Sequence, residues 1–166
     1  YALELLPGPL ESRVFWANVQ FIGIATAPAA WLETSRRLVG HRPMRPTGIA
    51  LHAVIPIATV VLAFTSSAHT VFRGTPELYQ SMGLTLVHAD YQWFHNFVFV
   101  PYQYAVYLSG VVIIIEAMGE AHRRFRTGYL LMIGAMILPW IGGALYALSI
   151  PPFVDLNPTS LLLLVT

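Results

Sequence analysis

The chain has 166 residues, of which 56% are hydrophobic and 10% are charged, and its formal net charge is +1. Soluble domains carry about 25% charged residues, so this composition excludes an ordinary water-exposed domain. The scattered Arg residues form no basic stripe, which argues against a nucleic-acid partner. The lack of cysteine excludes disulfides, thiolate metal centres and thiol nucleophiles.

The apolar residues occur in runs of about 20, a length that crosses the roughly 30 Å hydrocarbon core of a bilayer. We therefore predict an all-α fold, a polytopic transmembrane helix bundle with four full spans and partial spans at both ends. In chain order, the end of a helix at 1–6 precedes full spans at 12–36, 47–65, 93–118 and 128–149, and a further span starts at 159–166. Residues 66–92 contain many polar residues and are interrupted by Gly74, Pro76 and Gly83, so we predict an extramembrane loop there, long enough for a short helix.

The distribution of arginine predicts the orientation, because positively charged short loops stay on the cytoplasmic side of the membrane. Seven of the nine basic residues lie in two links, 36–45 and 123–126. We place both links in the cytoplasm of a prokaryotic cell and the loop 66–92 outside its cytoplasmic membrane.

Each predicted full span contains one proline: Pro28, Pro56, Pro101 and Pro139. A proline removes a backbone hydrogen-bond donor and can kink its helix, so bundles that contain several prolines leave cavities and hinges. Such a bundle is compatible with a receptor and also with a static membrane protein.

Amide side chains on the first and third predicted spans are candidates for a ligand pocket. They are Asn18, Gln20, Asn96 and Gln103. We predict a small polar pocket that is open to the outer side of the membrane. The alternative is that these amides bond across helix interfaces, where each contributes about 0.6 to 2 kcal/mol.

Histidines near the predicted outer loop are candidates for a second site. His69, His88, Asp90 and His95 fall in or beside the loop 66–92. Imidazole and carboxylate groups at a surface can hold a divalent metal or bind protons near neutral pH. Their spacing matches no known metal signature, and ordinary hydrogen bonding within the loop is the alternative.

A haem between two histidines needs imidazoles at similar depth on facing helices. His52 lies about one turn from the cytoplasmic end of its predicted span and His95 near the outer end of another, which separates them by roughly 20 Å at 1.5 Å per residue. His41 and His122 lie in the arginine-rich links, where solvation explains them. We therefore predict no cofactor.

Six stretches resemble the N-terminal seven-helix input region of bacterial and archaeal sensor histidine kinases. They are LESRVFWANVQFIGI (10–24), AHTVF (68–72), YQWFH (91–95), RRFR (123–126), LPWIGGALY (138–146) and VDLNP (154–158). Their order, spacing and loop lengths all agree with the family. Phe21 stands where tyrosine is common in the family, and Gly143 where an amide is expected.

The resemblance implies that residues 1–6 end the second family helix, that the four full spans are the third to sixth, and that the chain ends in the seventh. In the family the seventh helix leads into a cytoplasmic signalling module. The implied orientation, with the N terminus outside, agrees with the orientation that the arginine distribution predicts.

The sequence shows no GxSxG, HExxH, P-loop, kinase or cyclase motif, so we predict that the chain is not an enzyme. The preferred hypothesis is a non-catalytic membrane sensor domain that transmits a signal through helix rearrangement. Its expected partners are the lipid bilayer and other transmembrane helices, in a homodimer or a larger complex. The alternatives are an accessory subunit of a respiratory or photosynthetic complex and a haem-binding electron carrier.

Overall fold

The computed structural model describes residues 8–81, 84–120, 126–135, 137 and 141. The partial spans at 1–6 and 159–166, most of the fourth predicted span and the link residues His122 to Arg124 lie outside the described residues. The chain divides into two compact units, residues 1–110 and 111–166.

Three long helices dominate the described residues. Helix α1 covers Leu10–Leu38, α2 covers Pro46–Phe64 and α3 covers Val100–Glu120, with a π-helical turn at His95–Phe99 directly before α3. Residues 126–135 are also helical. The first three predicted spans fall on these helices.

Two segments of the described residues, Pro46–Phe64 and His95–Gly119, are long and apolar enough to cross a membrane, with mean hydropathies of 2.1 and 1.8. At 1.5 Å per residue they measure about 28 and 38 Å, against the roughly 30 Å of hydrocarbon in a bilayer. The predicted bundle of four full spans remains a prediction, since the described residues include two segments with these properties.

The region 66–92, which is long enough for a short helix, contains a β-hairpin and, within its described residues, no helix. Strand β1 covers Glu77–Ser81 and pairs antiparallel with β2, Leu84–His88. The hairpin also makes the expected all-α class incomplete. Hydrogen bonding between the two arms of the loop favours the extended backbone here, and a short helix would leave those bonds unmade.

Proline leaves one backbone carbonyl without its usual partner in each of the first two helices. In an α-helix the N–H of residue i bonds the carbonyl of residue i−4. Pro28 therefore cannot bond Ile24 O, and Pro56 cannot bond His52 O. In a membrane no water is present to replace the missing donor.

Helix α3 supplies both missing donors from adjacent residues. Gln103 Nε2 donates to Ile24 O at 2.9 Å, and the Tyr102 hydroxyl donates to His52 O at 2.7 Å. The first turns of α3 are thereby connected to α1 and to α2 at the points where proline interrupts the hydrogen-bond ladders of these helices.

Pro101 accounts for the π-helical turn that precedes α3. It has no N–H to donate to the carbonyl of Phe97, and its ring crowds that carbonyl in a regular α-helix. The Val100 N–H bonds His95 O, five residues back. One extra residue per turn thus accommodates the proline without ending the helix.

Glycine permits a close contact between α1 and α3. Trp31 Nε1 donates to Tyr107 O at 3.2 Å. A Cβ at Gly110 would overlap Trp31 Nε1 and would lie 2.7 Å from its Cδ1. The indole therefore reaches the backbone of α3 because residue 110 has no side chain.

We expect Gln103→Leu to lower the free energy of unfolding by about 1 kcal/mol, because Ile24 O loses its donor. In a Pro28→Ala background the same change should cost close to nothing, since the N–H of the substituted alanine then bonds Ile24 O. Unfolding in mixed micelles, followed by far-UV circular dichroism, measures both values. Ser109→Ala is the control, because this hydroxyl bonds Ala105 O within its own helix. Equal costs in the two backgrounds would contradict the explanation.

We expect Gly110→Ala to destabilise the protein by about 1 to 3 kcal/mol, the range for overpacking a close contact. The matched control is Gly23→Ala on α1, where an added Cβ meets nothing within 4 Å. That change should be neutral or stabilise by about 0.5 to 1 kcal/mol, because alanine favours helix. Thermal unfolding in detergent distinguishes the two, and similar melting temperatures would exclude the proposed contact.

Candidate functional site

The two arms of the loop 66–92 meet at its base, beside the π-helical turn. Gly74 N–H donates to Asp90 O at 2.8 Å, and Gln92 N–H donates to Phe72 O at 2.9 Å. An isolated antiparallel bridge pairs Arg73 with Tyr91. These bonds fix the two arms side by side.

Aromatic rings from α1, from both arms of the loop and from the π-helical turn pack together beneath this junction. We call this group the aromatic cluster: Phe21, Phe72, Tyr91, His95 and Phe99. Phe72 and Phe99 are 0% and 1% exposed. Phe21 and Phe72 meet edge to face, with ring centroids 5.0 Å apart, a favourable arrangement for two π systems. The cluster joins three separate parts of the chain.

His95 is held in one orientation within the cluster. Its ring stacks on Tyr91 with centroids 4.0 Å apart and an interplanar angle of 19°. Its Nδ1 lies 2.9 Å from Asn96 Oδ1, and Asn96 Nδ2 donates to Tyr91 O at 2.8 Å. Asn96 Oδ1 is an acceptor, so this arrangement favours a proton on Nδ1. The amide thus links the histidine to the backbone of the residue on which it stacks.

Arg73 is buried, with 3% of its surface exposed, and its guanidinium connects the loop to both of the first helices. Nη2 donates to Asn18 Oδ1 on α1 at 2.7 Å. Nε donates to Ser66 Oγ at 3.1 Å, and the Ser66 hydroxyl donates to Ala63 O in the last turn of α2 at 2.8 Å. Hydrogen bonds of this kind are required when a charged group is buried.

An open groove of about 430 Å³ lies beside Arg73, on the first arm of the loop. We call it the loop groove, and its polar lining includes Ser66, Ser67, His69, Thr70, Arg73 and Thr75. Hydroxyl groups in such a groove can bond a small polar ligand, whereas the ring nitrogens of His69 and the Nε and Nη2 of Arg73 already bond neighbouring residues. The groove shares Arg73 and Ser66 with the hydrogen bonds that connect the loop to the helices.

The whole chain, residues 1–166, matches the family model described as the N-terminal 7TM region of histidine kinase. The chain belongs to this family. Comparison with curated proteins and with solved structures gave no match. The resemblance noted in the sequence is therefore confirmed, and the protein is a membrane-embedded, non-catalytic sensor input region. The family favours this assignment over an accessory subunit.

Three of the stretches that carry the family resemblance meet in this one site. Residues 10–24 supply Asn18 and Phe21, residues 68–72 supply Phe72, and residues 91–95 supply Tyr91 and His95. The stretches are far apart in the sequence, and the contacts of the aromatic cluster and of Arg73 bring them together.

The structure disperses the amides of the predicted ligand pocket. Asn18 bonds Arg73, Asn96 bonds His95 and Tyr91 O, and Gln103 bonds Ile24 O on another helix. The bond of Gln103 is of the interhelical kind that was the alternative to a pocket. Gln20 is half-buried on α1 and also interacts with another group of the protein.

The predicted metal or proton site is also dispersed. His88 Nε2 lies 3.5 Å from Asp90 Oδ1 at the exposed end of the hairpin, whereas His95 lies in the aromatic cluster. His69 accepts a hydrogen bond from the Val71 N–H at Nδ1, and its Nε2 lies 2.9 Å from Thr65 Oγ1, so both ring nitrogens are engaged. No group of three possible metal ligands occurs in the part of the chain that the structure describes.

Sequence reasoning missed Arg73, the residue with the most connections in the site. Arg73 is one of the two arginines outside the arginine-rich links, and no role was predicted for it. The available signal was its position directly after the aromatic residue Phe72. A cation next to a ring that must be buried is itself drawn toward the interior.

A double-mutant cycle tests the buried hydrogen bond between Arg73 and Asn18. We expect a coupling energy of about 1.5 to 3 kcal/mol for Arg73→Gln and Asn18→Ala, the range for hydrogen bonds to charged groups. The control is Arg37→Gln, which removes an exposed ion pair with Glu33 and should cost at most about 1 kcal/mol. Chemical unfolding in micelles gives each value, and additive effects of the two changes would refute the coupling.

Proposed function

We propose that a stimulus acts at the loop groove and the aromatic cluster and that α3 transmits it as a change in helix packing. The observation that carries this proposal is the position of His95. It belongs to the aromatic cluster and is also the first residue of the π-helical turn, which leads directly into Tyr102 and Gln103. A change at the cluster thus acts on the segment that connects α3 to α1 and α2.

The π-helical turn supplies an element with two states. If the hydrogen bonds of this turn change from the π-helical to the α-helical pattern, one residue fewer fits in the turn. The segments on either side then rotate relative to each other by about 100°, the angle per residue of an α-helix. A rotation of that size moves Tyr102 and Gln103 away from His52 O and Ile24 O. Two carbonyls then lack donors in an apolar medium, so the rotated packing is unfavourable without a stimulus and is populated when a ligand favours it.

The proposed orientation follows the arginine distribution. The loop groove and the hairpin lie outside, and the links 36–45 and 123–126 lie in the cytoplasm. In this arrangement α1 also crosses the membrane, because the segment between Arg13 and Glu33 contains no charged residue and is about 30 Å long as a helix. Residues 128–149 supply the fourth full span of the proposed bundle.

The proposed output is a histidine kinase module in a dimeric assembly.

Two amides of the predicted pocket hold other groups of the site in place. Asn18 accepts a hydrogen bond from Arg73, and Asn96 bonds both His95 and the carbonyl of Tyr91, on which His95 stacks. We propose that they position the groups that respond to a ligand. His88 and Asp90, where β2 leaves the hairpin, form a separate exposed pair, the part of the predicted metal or proton site that we retain in this proposal. Ligands for the loop groove would be small and polar.

Deletion of Phe97 in the full-length kinase tests the proposal. This side chain is 77% exposed, and its deletion removes the extra residue of the π-helical turn. We expect autophosphorylation in nanodiscs to change at least about tenfold from the wild-type level, because a population shift of about 1.4 kcal/mol suffices for that factor. Phe97→Leu keeps the register and should retain wild-type activity.

If the deletion variant folds and its autophosphorylation equals that of the wild type, the π-helical turn does not control the output. Circular dichroism and the melting temperature of the purified variant establish that it is folded.

A further inference from the structure

A second groove, of about 510 Å³, lies between the end of α1 and the start of α2. Three arginines line it: Arg36, Arg42 and Arg45. Thr47 and His52 add polar groups from the first two turns of α2, and none of the lining residues is acidic. We call this the arginine groove, and it is separate from the aromatic cluster and the loop groove.

The carboxylate of the adjoining turn makes its hydrogen bonds outside the arginine groove. Glu33 bonds Arg37 Nε at 2.6 Å and accepts a hydrogen bond from the Met44 N–H at 3.2 Å, and of the groove arginines only Arg36 interacts electrostatically with it. The side chains of Arg42 and Arg45 make no hydrogen bond or ion pair with any residue that the structure describes. Glu33 thus shapes the link between the helices and leaves its arginines available.

Arg36 is fixed beside the groove by a bond to the link. Its Nη2 donates to Arg42 O at 3.3 Å. The guanidinium of Arg36 thus adds a positive charge at a defined position to those of Arg42 and Arg45, and charged donors of this kind favour an anionic acceptor.

The start of α2 adds a further preference for an anion. Pro46 occupies the first turn, and no side chain caps the N terminus of this helix. The backbone N–H groups of the first turn and the helix dipole both favour negative charge at this point. Their effect adds to that of the three arginines and does not carry the inference by itself.

The neighbouring surface indicates which anion fits. Helix α2 is one of the two segments long and apolar enough to cross a membrane, so the groove lies at the end of an apolar span, at the level of the lipid headgroups. Leu51 and Val54, which lie on one side of α2 in the turns that follow, are 73% and 60% exposed. A phospholipid can place its phosphate between the arginines and its acyl chains along this apolar face.

We propose that the arginine groove binds the phosphate of an anionic phospholipid. Guanidinium groups suit this ligand because their N–H donors match the spacing of phosphate oxygens, and basic pockets beside membrane helices are suited to anionic headgroups. The proposal goes beyond the sensor function and does not depend on it.

Native mass spectrometry of the protein released from nanodiscs tests the proposal. The discs contain phosphatidylcholine together with either phosphatidylglycerol or cardiolipin. We expect the protein to retain the anionic lipid at least about tenfold more than phosphatidylcholine, and the double variant Arg42→Gln, Arg45→Gln to lose this preference. The matched control, Arg37→Gln, removes a charge from the same region but outside the groove and should keep the preference.

Competition with inorganic phosphate distinguishes the two sources of the ligand. Free phosphate lacks acyl chains, so it should displace the lipid weakly. Displacement at equal concentrations would show that the groove is a site for soluble phosphate and would overturn the lipid proposal. Equal retention of the neutral and anionic lipids would overturn it as well, as would loss of the preference in Arg37→Gln.

Discussion

The arrangement of helices in the first unit depends on two carbonyl groups that proline leaves without donors. Ile24 O and His52 O cannot be bonded by their own helices, and an unsatisfied polar group in hydrocarbon costs several kcal/mol. Gln103 and Tyr102 bond both carbonyls from adjacent positions on α3. The rotation of α3 about its axis is therefore fixed by hydrogen bonds, although most of its surface contacts are apolar and would tolerate a small rotation.

The loop is connected to the same hydrogen bonds through the aromatic cluster. The cluster ends in the π-helical turn, which directly precedes α3 and its residues Tyr102 and Gln103. Pro101 follows this turn and makes the π-helical geometry favourable. Arg73 connects the loop to α1 and, through Ser66, to the end of α2. The loop thus contacts α1, α2 and the turn that leads into α3.

The sequence predicts helices where α1, α2 and α3 lie because the signals for them are local: each contains an uncharged run bounded by Arg, Pro or polar residues. The start of α3 was not predicted, since the predicted span begins at residue 93 and α3 begins at Val100, after the π-helical turn. The site was predicted less well because its contacts are long-range: Asn18 bonds a residue 55 positions away, and Gln103 bonds one 79 positions away. The position of Pro28 in the sequence identifies Ile24 O as a carbonyl that needs a donor. That Gln103 is the side chain that donates to it depends on how the helices pack. The hairpin was missed because pairing between β1 and β2 outweighs weak local preferences.

The charged residues of α1 explain how one helix serves two polar sites without losing its apolar character. Arg13 and Glu33 bound a segment without charge, and Asn18 and Arg36 lie about 27 Å apart along the axis at 1.5 Å per residue. This separation is close to the thickness of the hydrocarbon core. The bonds of Asn18 to the loop and of Arg36 to the link therefore lie near opposite ends of the uncharged segment. Between Asn18 and Arg36, Gln103 donates to Ile24 O, the carbonyl that Pro28 leaves without a donor. This hydrogen bond explains why α3 carries a polar side chain next to the apolar segment of α1.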